Sequence, residues 1–149
     1  MYQKILVPFD GSSQSLSAVE HAMKLALVSK AKVTLLHVLQ GIPLFSDERS
    51  EDRIGIDRDA LMSEKKMKAQ DMLARLKESL SEQDIKVDTA IAYGNPAKEI
   101  CKKAQIEDYD VIVMGSRGFG KIPGILMGSV SNKVCGNASC PVIVIHSTR

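Results

Sequence analysis

Residues 111–130 read VIVMGSRGFGKIPGILMGSV, and their glycines could do chemistry. Gly115, Gly118 and Gly128, the last followed by Ser129, fall at the spacing G-x2-G-x9-G-S. An anion such as phosphate needs donors that approach closely, and glycine has no Cβ to hold its backbone N–H away. The apolar run at 111–114 reads as a buried strand, and Ser129 with the residues after it as the start of a helix. A helix N-terminus offers unpaired N–H groups and a partial positive charge. Strand, glycine loop and helix start, in that order, cradle phosphates. The chemistry to expect is noncovalent capture of a nucleotide.

Two related phosphate motifs fail on spacing. The stretch from Gly115 to Lys121 satisfies G-x4-G-K, but Ile122 stands where a P-loop needs Ser or Thr for magnesium. Pro123 and Gly124 also interrupt the helix that a P-loop enters directly. A dinucleotide fingerprint would use Gly118 and Gly120, but its third glycine is replaced by Pro123. The turn at 10–13, DGSS, lacks the second glycine and internal aspartate of the S-G-G-x-D-S pyrophosphatase loop, which argues against adenylyl transfer.

The glycine segment needs a frame, and the chain supplies one. Residues 4–9, KILVPF, form an apolar run without helical period and read as a buried strand. Asp10-Gly11-Ser12-Ser13 is a turn with capping residues. Leu16, Val19, Met23, Ala26 and Leu27 then recur at helical spacing. Residues 33–39 form a second strand, so the first two strands should be parallel. Residues 41–59 carry charges, Pro43 and Gly55 without period, and read as a long mobile loop that could close over a ligand. A helix from about residue 59 to 81 carries Ala69, Met72, Leu73, Leu76 and Leu80 as its stripe. A third strand at 87–92 leads through Gly94-Asn95-Pro96 into a helix with Ile100 and Ala104 inward. After the strand at 111–114 come a helix at 128–137 and a fifth strand from Pro141 to His146.

This alternation predicts an α/β fold, a five-stranded parallel sheet with helices on both faces. Ligands in such sheets bind beyond the carboxyl ends of the strands where the order reverses. Strands one and four would flank that crevice, so Asp10 and Gly115 fall where topology alone places a ligand.

With 149 residues the chain suits one domain, 1–149. Twenty basic and 18 acidic residues give a net charge of +2, no electrostatic reason for nucleic acid or membrane binding. No apolar run approaches the about 20 residues of a membrane span. No signal-like segment opens the chain, so the expected location is the cytoplasm. Cys101, Cys135 and Cys140 do not fit a disulfide framework, and with His21, His37 and His146 they give no zinc spacing. Buried reduced thiols are the expectation.

Several stretches together resemble the ATP-binding subgroup of the universal stress protein family, over nearly the whole chain. They are the opening Lys4-Ile5-Leu6-Val7-Pro8-Phe9-Asp10-Gly11-Ser12, His37-Val38, Gly94-Asn95-Pro96, the glycine motif with Val130-Ser131 after it, and Cys140-Pro141-Val142. The resemblance implies strand order 3-2-1-4-5, an adenine nucleotide alpha hydrolase-like arrangement. It implies ATP or another adenine nucleotide as ligand, with magnesium. Pro8, Phe9, Asp10 and Val38 match positions that wall the adenine and ribose, and Asp10 would meet a ribose hydroxyl or stand near phosphate-bound magnesium. Met114, Gly115, Arg117 and Gly118 match positions beside the ribose and phosphates. Gly128, Ser129, Val130 and Ser131 match the helix start that grips the phosphates, with Ser129 as cap and donor. Phe9 is bulky for its position. The resemblance also implies a homodimer paired through the strand from Pro141 to His146, and a protein partner that the sequence does not name.

No catalytic residue is assigned. Arg117 and Lys121 could supply charge, but no residue is placed to orient a water, and His37 reads as a core or edge histidine. The expected function is a nucleotide-dependent regulator or sensor in stress response, with slow hydrolysis at most. Its alternatives are a weak ATPase or autophosphorylating switch, with Ser116, Ser129 or Ser131 as acceptor, and an interaction module indifferent to nucleotide.

Overall fold

A computed structural model of the chain describes residues 1–41, 58–117 and 127–146. Among these residues five strands, β1 (Lys4–Pro8), β2 (Lys32–Leu39), β3 (Val87–Tyr93), β4 (Val111–Gly115) and β5 (Val142–Ile145), alternate with four helices. The helices are α1 (Ser13–Ser29), α2 (Arg58–Ser79), α3 (Pro96–Ile106) and α4 (Ser129–Asn137). The sheet runs β3-β2-β1-β4-β5, with every neighbouring pair parallel. The order expected from the family resemblance is the order found. The 41–59 loop lies outside the described residues over 42–57, and so do Gly118 and Lys121.

Side-chain alternation along the strands builds two cores. Ile5, Val7, Val33, Leu35, Val111 and Val113 point to one face and pack with Ala18, Val19, Ala22, Met23, Ala26 and Leu73 from α1 and α2. Leu6, Leu36, Ile112 and Met114 point to the other and pack with Ala97, Ile100, Ala104 and Val134 from α3 and α4. Helices on both faces explain why the inner strands read as unbroken apolar runs rather than alternating ones.

The helix ends follow their sequence signals. Ser12 caps α1, its Oγ accepting from Ser15 N at 3.1 Å, and Lys30 closes the helix in the left-handed region at φ 58°. Asn95 caps α3 through Lys98 N at 3.1 Å, with Pro96 opening the helix. Gly94 before it has φ +131°, a conformation that side chains avoid.

Three expectations need correction. Leu16 and Leu27 are exposed; α1 meets the sheet through its alanines, which let the helix lie close, and this turns the stripe toward Ala18, Ala22 and Ala26. Cys101 and Cys140 are free and only half-buried, and Cys135, on the outer side of α4, is exposed. Ser12 rather than Ser129 is the serine that caps a helix; α4 has Gly128 at its cap position and no side-chain cap bond.

Candidate nucleotide site

The carboxyl ends of β1, β2 and β4 open into a cavity of about 830 Å³, closed on one side by the start of α4. That volume is in the range of small-molecule sites, roughly 300–1,000 Å³. Pro8, Phe9, Asp10, Val38, Met114, Gly115, Arg117, Gly128, Ser129, Val130 and Ser131 all border it. Of the predicted site residues, only Gly118 is outside the described chain.

The walls differ in character. Leu36, Val38, Pro96, Ile100 and Met114 supply apolar surface from β2, α3 and β4. Phe9 turns into the core beneath α1, 7% exposed, so its bulk does not fill the apolar wall that Val38 forms on the opposite face. The remaining wall is the N-terminus of α4. Its first intrahelical bond is Asn132 N to Gly128 O at 3.0 Å, so the N–H groups of Ser129, Val130 and Ser131 have no partner within the helix. No side chain caps them. Uncapped N–H groups at the head of a helix favour an anion.

One residue holds this wall in place. Ser116 N donates to Ile145 O of β5 at 2.9 Å, and Ser116 O accepts from Gly128 N at 2.7 Å. Ser131 Oγ also donates to Ser116 O. Ser131 is 3% exposed and its hydroxyl proton is therefore turned inward, so only its backbone N–H is left for a ligand. Ser116 is buried too, its hydroxyl bonded to Gln14 Oε1 at 2.9 Å. Of the three serines considered as phosphate acceptors, Ser129 alone is exposed.

The two described glycines of the motif are glycines for different reasons. Neither has a positive φ. A Cβ on Gly115 would lie 3.0 Å from the C, O and Cβ atoms of Gln14, so close packing on α1 requires the glycine. A Cβ on Gly128 would meet nothing nearer than 3.5 Å, and its φ of −74° and ψ of 168° suit any residue. Nothing in the fold demands a glycine there, but the cavity lies against it.

Among the described residues Asp10 is the only carboxylate in the cavity wall. Its Oδ1 accepts from Ser12 N at 2.9 Å, which orients the group, and its other oxygen has no hydrogen-bond partner among the described residues. Magnesium commonly binds through one or two carboxylates plus ligand phosphates, so a single exposed Asp fits a nucleotide-borne ion. Among the described residues no group of three or more His, Cys, Asp or Glu could hold a metal unaided.

His37, Gln40, Ser15 and Met127 also border the cavity and were not foreseen in the sequence as site residues. His37 Nδ1 lies 2.8 Å from Phe9 O; a carbonyl only accepts, so Nδ1 carries a proton there, and Nε2 has no hydrogen-bond partner among the described residues. Strand parity could have found Leu36, which shares a face with Val38. Gln14 carries no local signal, because a glutamine beside serines in a first helical turn reads as solvated.

A parallel sheet whose strand order reverses beside a cavity, with a helix N-terminus against it, defines a doubly wound α/β protein. The model of the universal stress protein family matches residues 1–146, and the chain belongs to that family. The universal stress protein MJ0531 of Methanocaldococcus jannaschii is 35% identical, over 100% of this chain and 85% of its own. The solved universal stress protein UspA from Lactobacillus plantarum superposes with a TM-score of 0.85 at 27% identity, over 97% of this chain and 98% of its own. A universal stress protein from Archaeoglobus fulgidus in complex with dAMP shares the fold, with a TM-score of 0.68 at 22% identity over 97% of this chain and 98% of its own.

Proposed function

We propose that this protein binds an adenine nucleotide, ATP among them, and acts as a nucleotide-dependent regulator or sensor in stress response. The observation that carries the reading is the pairing, in one cavity, of an apolar wall at Val38, Pro96 and Ile100 with the uncapped start of α4. The first suits a base and the second a phosphate chain. Asp10 would meet the ribose or a nucleotide-borne magnesium ion, and Arg117 would add charge beside the phosphates. The dAMP held by the Archaeoglobus fulgidus protein supports an adenine ligand, on fold analogy. The whole chain, 1–149, acts as one domain, in the cytoplasm.

Catalysis is not needed for this role. Among the described residues, His37 is the cavity side chain with a free basic nitrogen, and its Nδ1 is committed to Phe9 O. Slow hydrolysis at most is the expectation.

The decisive experiment is thermal unfolding with Mg-ATP, ADP, AMP and GTP, with Gly128→Val as the control. A ligand at one hundred times its Kd stabilises by about 2.7 kcal/mol. That raises Tm by roughly 5–10 °C in a chain of this length. The shift should follow adenine nucleotides and vanish in the variant. No shift with any nucleotide at millimolar concentration would overturn the reading in favour of an interaction module.

The same proposal includes a homodimer. The strand β5, VIVI, is apolar, half-buried throughout and, among the described residues, paired on one side only, by β4. Such edges are normally covered. Sedimentation equilibrium should give twice the 16.3 kDa chain mass, and a monomer at high micromolar concentration would refute it.

A further inference from the structure

Two buried side-chain polar atoms among the described residues have no hydrogen-bond partner: Gln14 Nε2 and Arg117 Nε. Their residues are bonded to each other. Gln14 Oε1 accepts from Arg117 N at 2.9 Å and from Ser116 Oγ at 2.9 Å. The orientation of the amide is settled by chemistry, since a peptide N–H only donates and must face the oxygen. Nε2 is therefore left as a spare donor on a side chain whose residue is 2% exposed. Leaving a buried donor unpaired costs stability, and such groups call for an explanation beyond the fold.

The explanation lies in what Gln14 holds. Its one oxygen holds the first two residues beyond β4, and the missing Cβ of Gly115 lets it come that close. The next carbonyl in this network, Ser116 O, accepts from Gly128 N at the cap of α4. Gln14 thus sets where the chain leaves the strand and where Arg117, which borders the cavity, begins. Gln14 itself does not border the cavity, so it acts through Arg117 rather than on the ligand.

Granted the adenine-nucleotide reading on which this rests, we infer that Gln14 is a positioning residue that aims Arg117 at the phosphate chain. Affinity then depends on phosphate number through Gln14, while the apolar wall that would hold the base is indifferent to it. The pairing makes the site a reader of the length of the phosphate chain.

The test is calorimetric binding of AMP and ATP to the full chain carrying Gln14→Leu, Arg117→Ala, or both. Gln14→Leu should weaken ATP by about tenfold or more, and AMP by no more than about twofold. In the Arg117→Ala background the same substitution should change ATP affinity by less than about twofold, because its target is gone. Equal losses for AMP and ATP, or fully additive losses, would show a merely structural role and overturn the inference. If Gln14→Leu does not fold, Gln14→Glu keeps both accepted hydrogen bonds and sets a negative charge beside Arg117. ATP should then weaken while AMP changes little, and unchanged ATP affinity would overturn the inference. Failure of the wild-type chain to bind either nucleotide would sink the adenine-nucleotide reading itself. Wild-type binding with no change in either Gln14 variant would sink only the role of Gln14.

Discussion

Replacing Gly115 and Gly128 by alanine, one at a time, should separate a glycine kept for packing from one kept for a ligand. The Gly115 Cβ would stand 3.0 Å from three atoms of Gln14, two of them backbone. Carbon contacts are comfortable at about 3.5–4.0 Å, so α1 or β4 must give by a few tenths of an ångström. Neither yields easily. β4 is paired on both sides, and Ala18, Val19 and Ala22 of α1 are wholly buried. Overpacking of this kind costs about 1–3 kcal/mol. Gly115→Ala should lower Tm by roughly 3–10 °C in a chain of this size. Gly128→Ala meets only ordinary contacts and loses a mildly preferred cap residue, so it should cost about 0.5 kcal/mol. Urea unfolding of both variants, with equal m-values required for comparison, gives the measurement. A Gly115→Ala loss below about 0.5 kcal/mol, within the range of neutral surface changes, would refute the packing argument. So would a larger loss at Gly128 than at Gly115.

Three more outcomes can be checked. Asp110 accepts from the backbone N–H groups of Gln3 and Lys4, and these bonds hold its carboxyl below the ordinary 3.8. Its depressed value means that the stabilisation is present above pH 3.8 and is lost as pH falls through the folded value. Asp110→Asn should therefore flatten the acid limb of the stability curve, and a parallel limb would refute this. Burial pushes the Cys101 and Cys140 thiols up, whereas Cys135 is exposed. Iodoacetamide at pH 8 should thus label Cys135 first by peptide mass, and equal rates at all three would count against it. Tyr109 Oη donates to Thr34 Oγ1 at 2.9 Å in the core. Tyr109→Phe should cost about 1–2 kcal/mol, and adding Thr34→Val should cost no more, because no orphaned hydroxyl then remains. Additive losses in urea unfolding would refute the pairing.

Sheet composition and strand type were legible because the inner strands carry unbroken Val, Ile and Leu runs, and each helix is punctuated by a cap or a turn. Asp10-Gly11-Ser12 and Asn95-Pro96 mark helix starts that the structure places within a residue or two. The cavity wall was legible where spacing carries the signal, at Gly115, Gly128 and the start of α4. What stayed hidden depends on tertiary approach. Gly115 and Gly128 look alike in sequence, yet one makes room for α1 and the other does not. Ser131 matches the helix start that grips the phosphates, but the nearness of the Ser116 carbonyl turns its hydroxyl away. Gln14 lies 103 residues from Arg117, and no local pattern announces that pairing. Leu16 and Leu27 fit the helical period but not the face that alanines select.

The order β3-β2-β1-β4-β5 also has a consequence for the life of the chain. β1 is synthesised first and ends in the middle of the sheet, so its second neighbour, β4, arrives only after more than a hundred residues. The cavity is walled by both ends of this history, Pro8 to Asp10 from the beginning and Met127 to Ser131 from near the end. A nascent or truncated chain lacking α4 has no such cavity to fill. Whatever fills it therefore distinguishes a chain that has folded through α4 from every shorter one, and occupancy in effect reports that the first strand and the last helix have met.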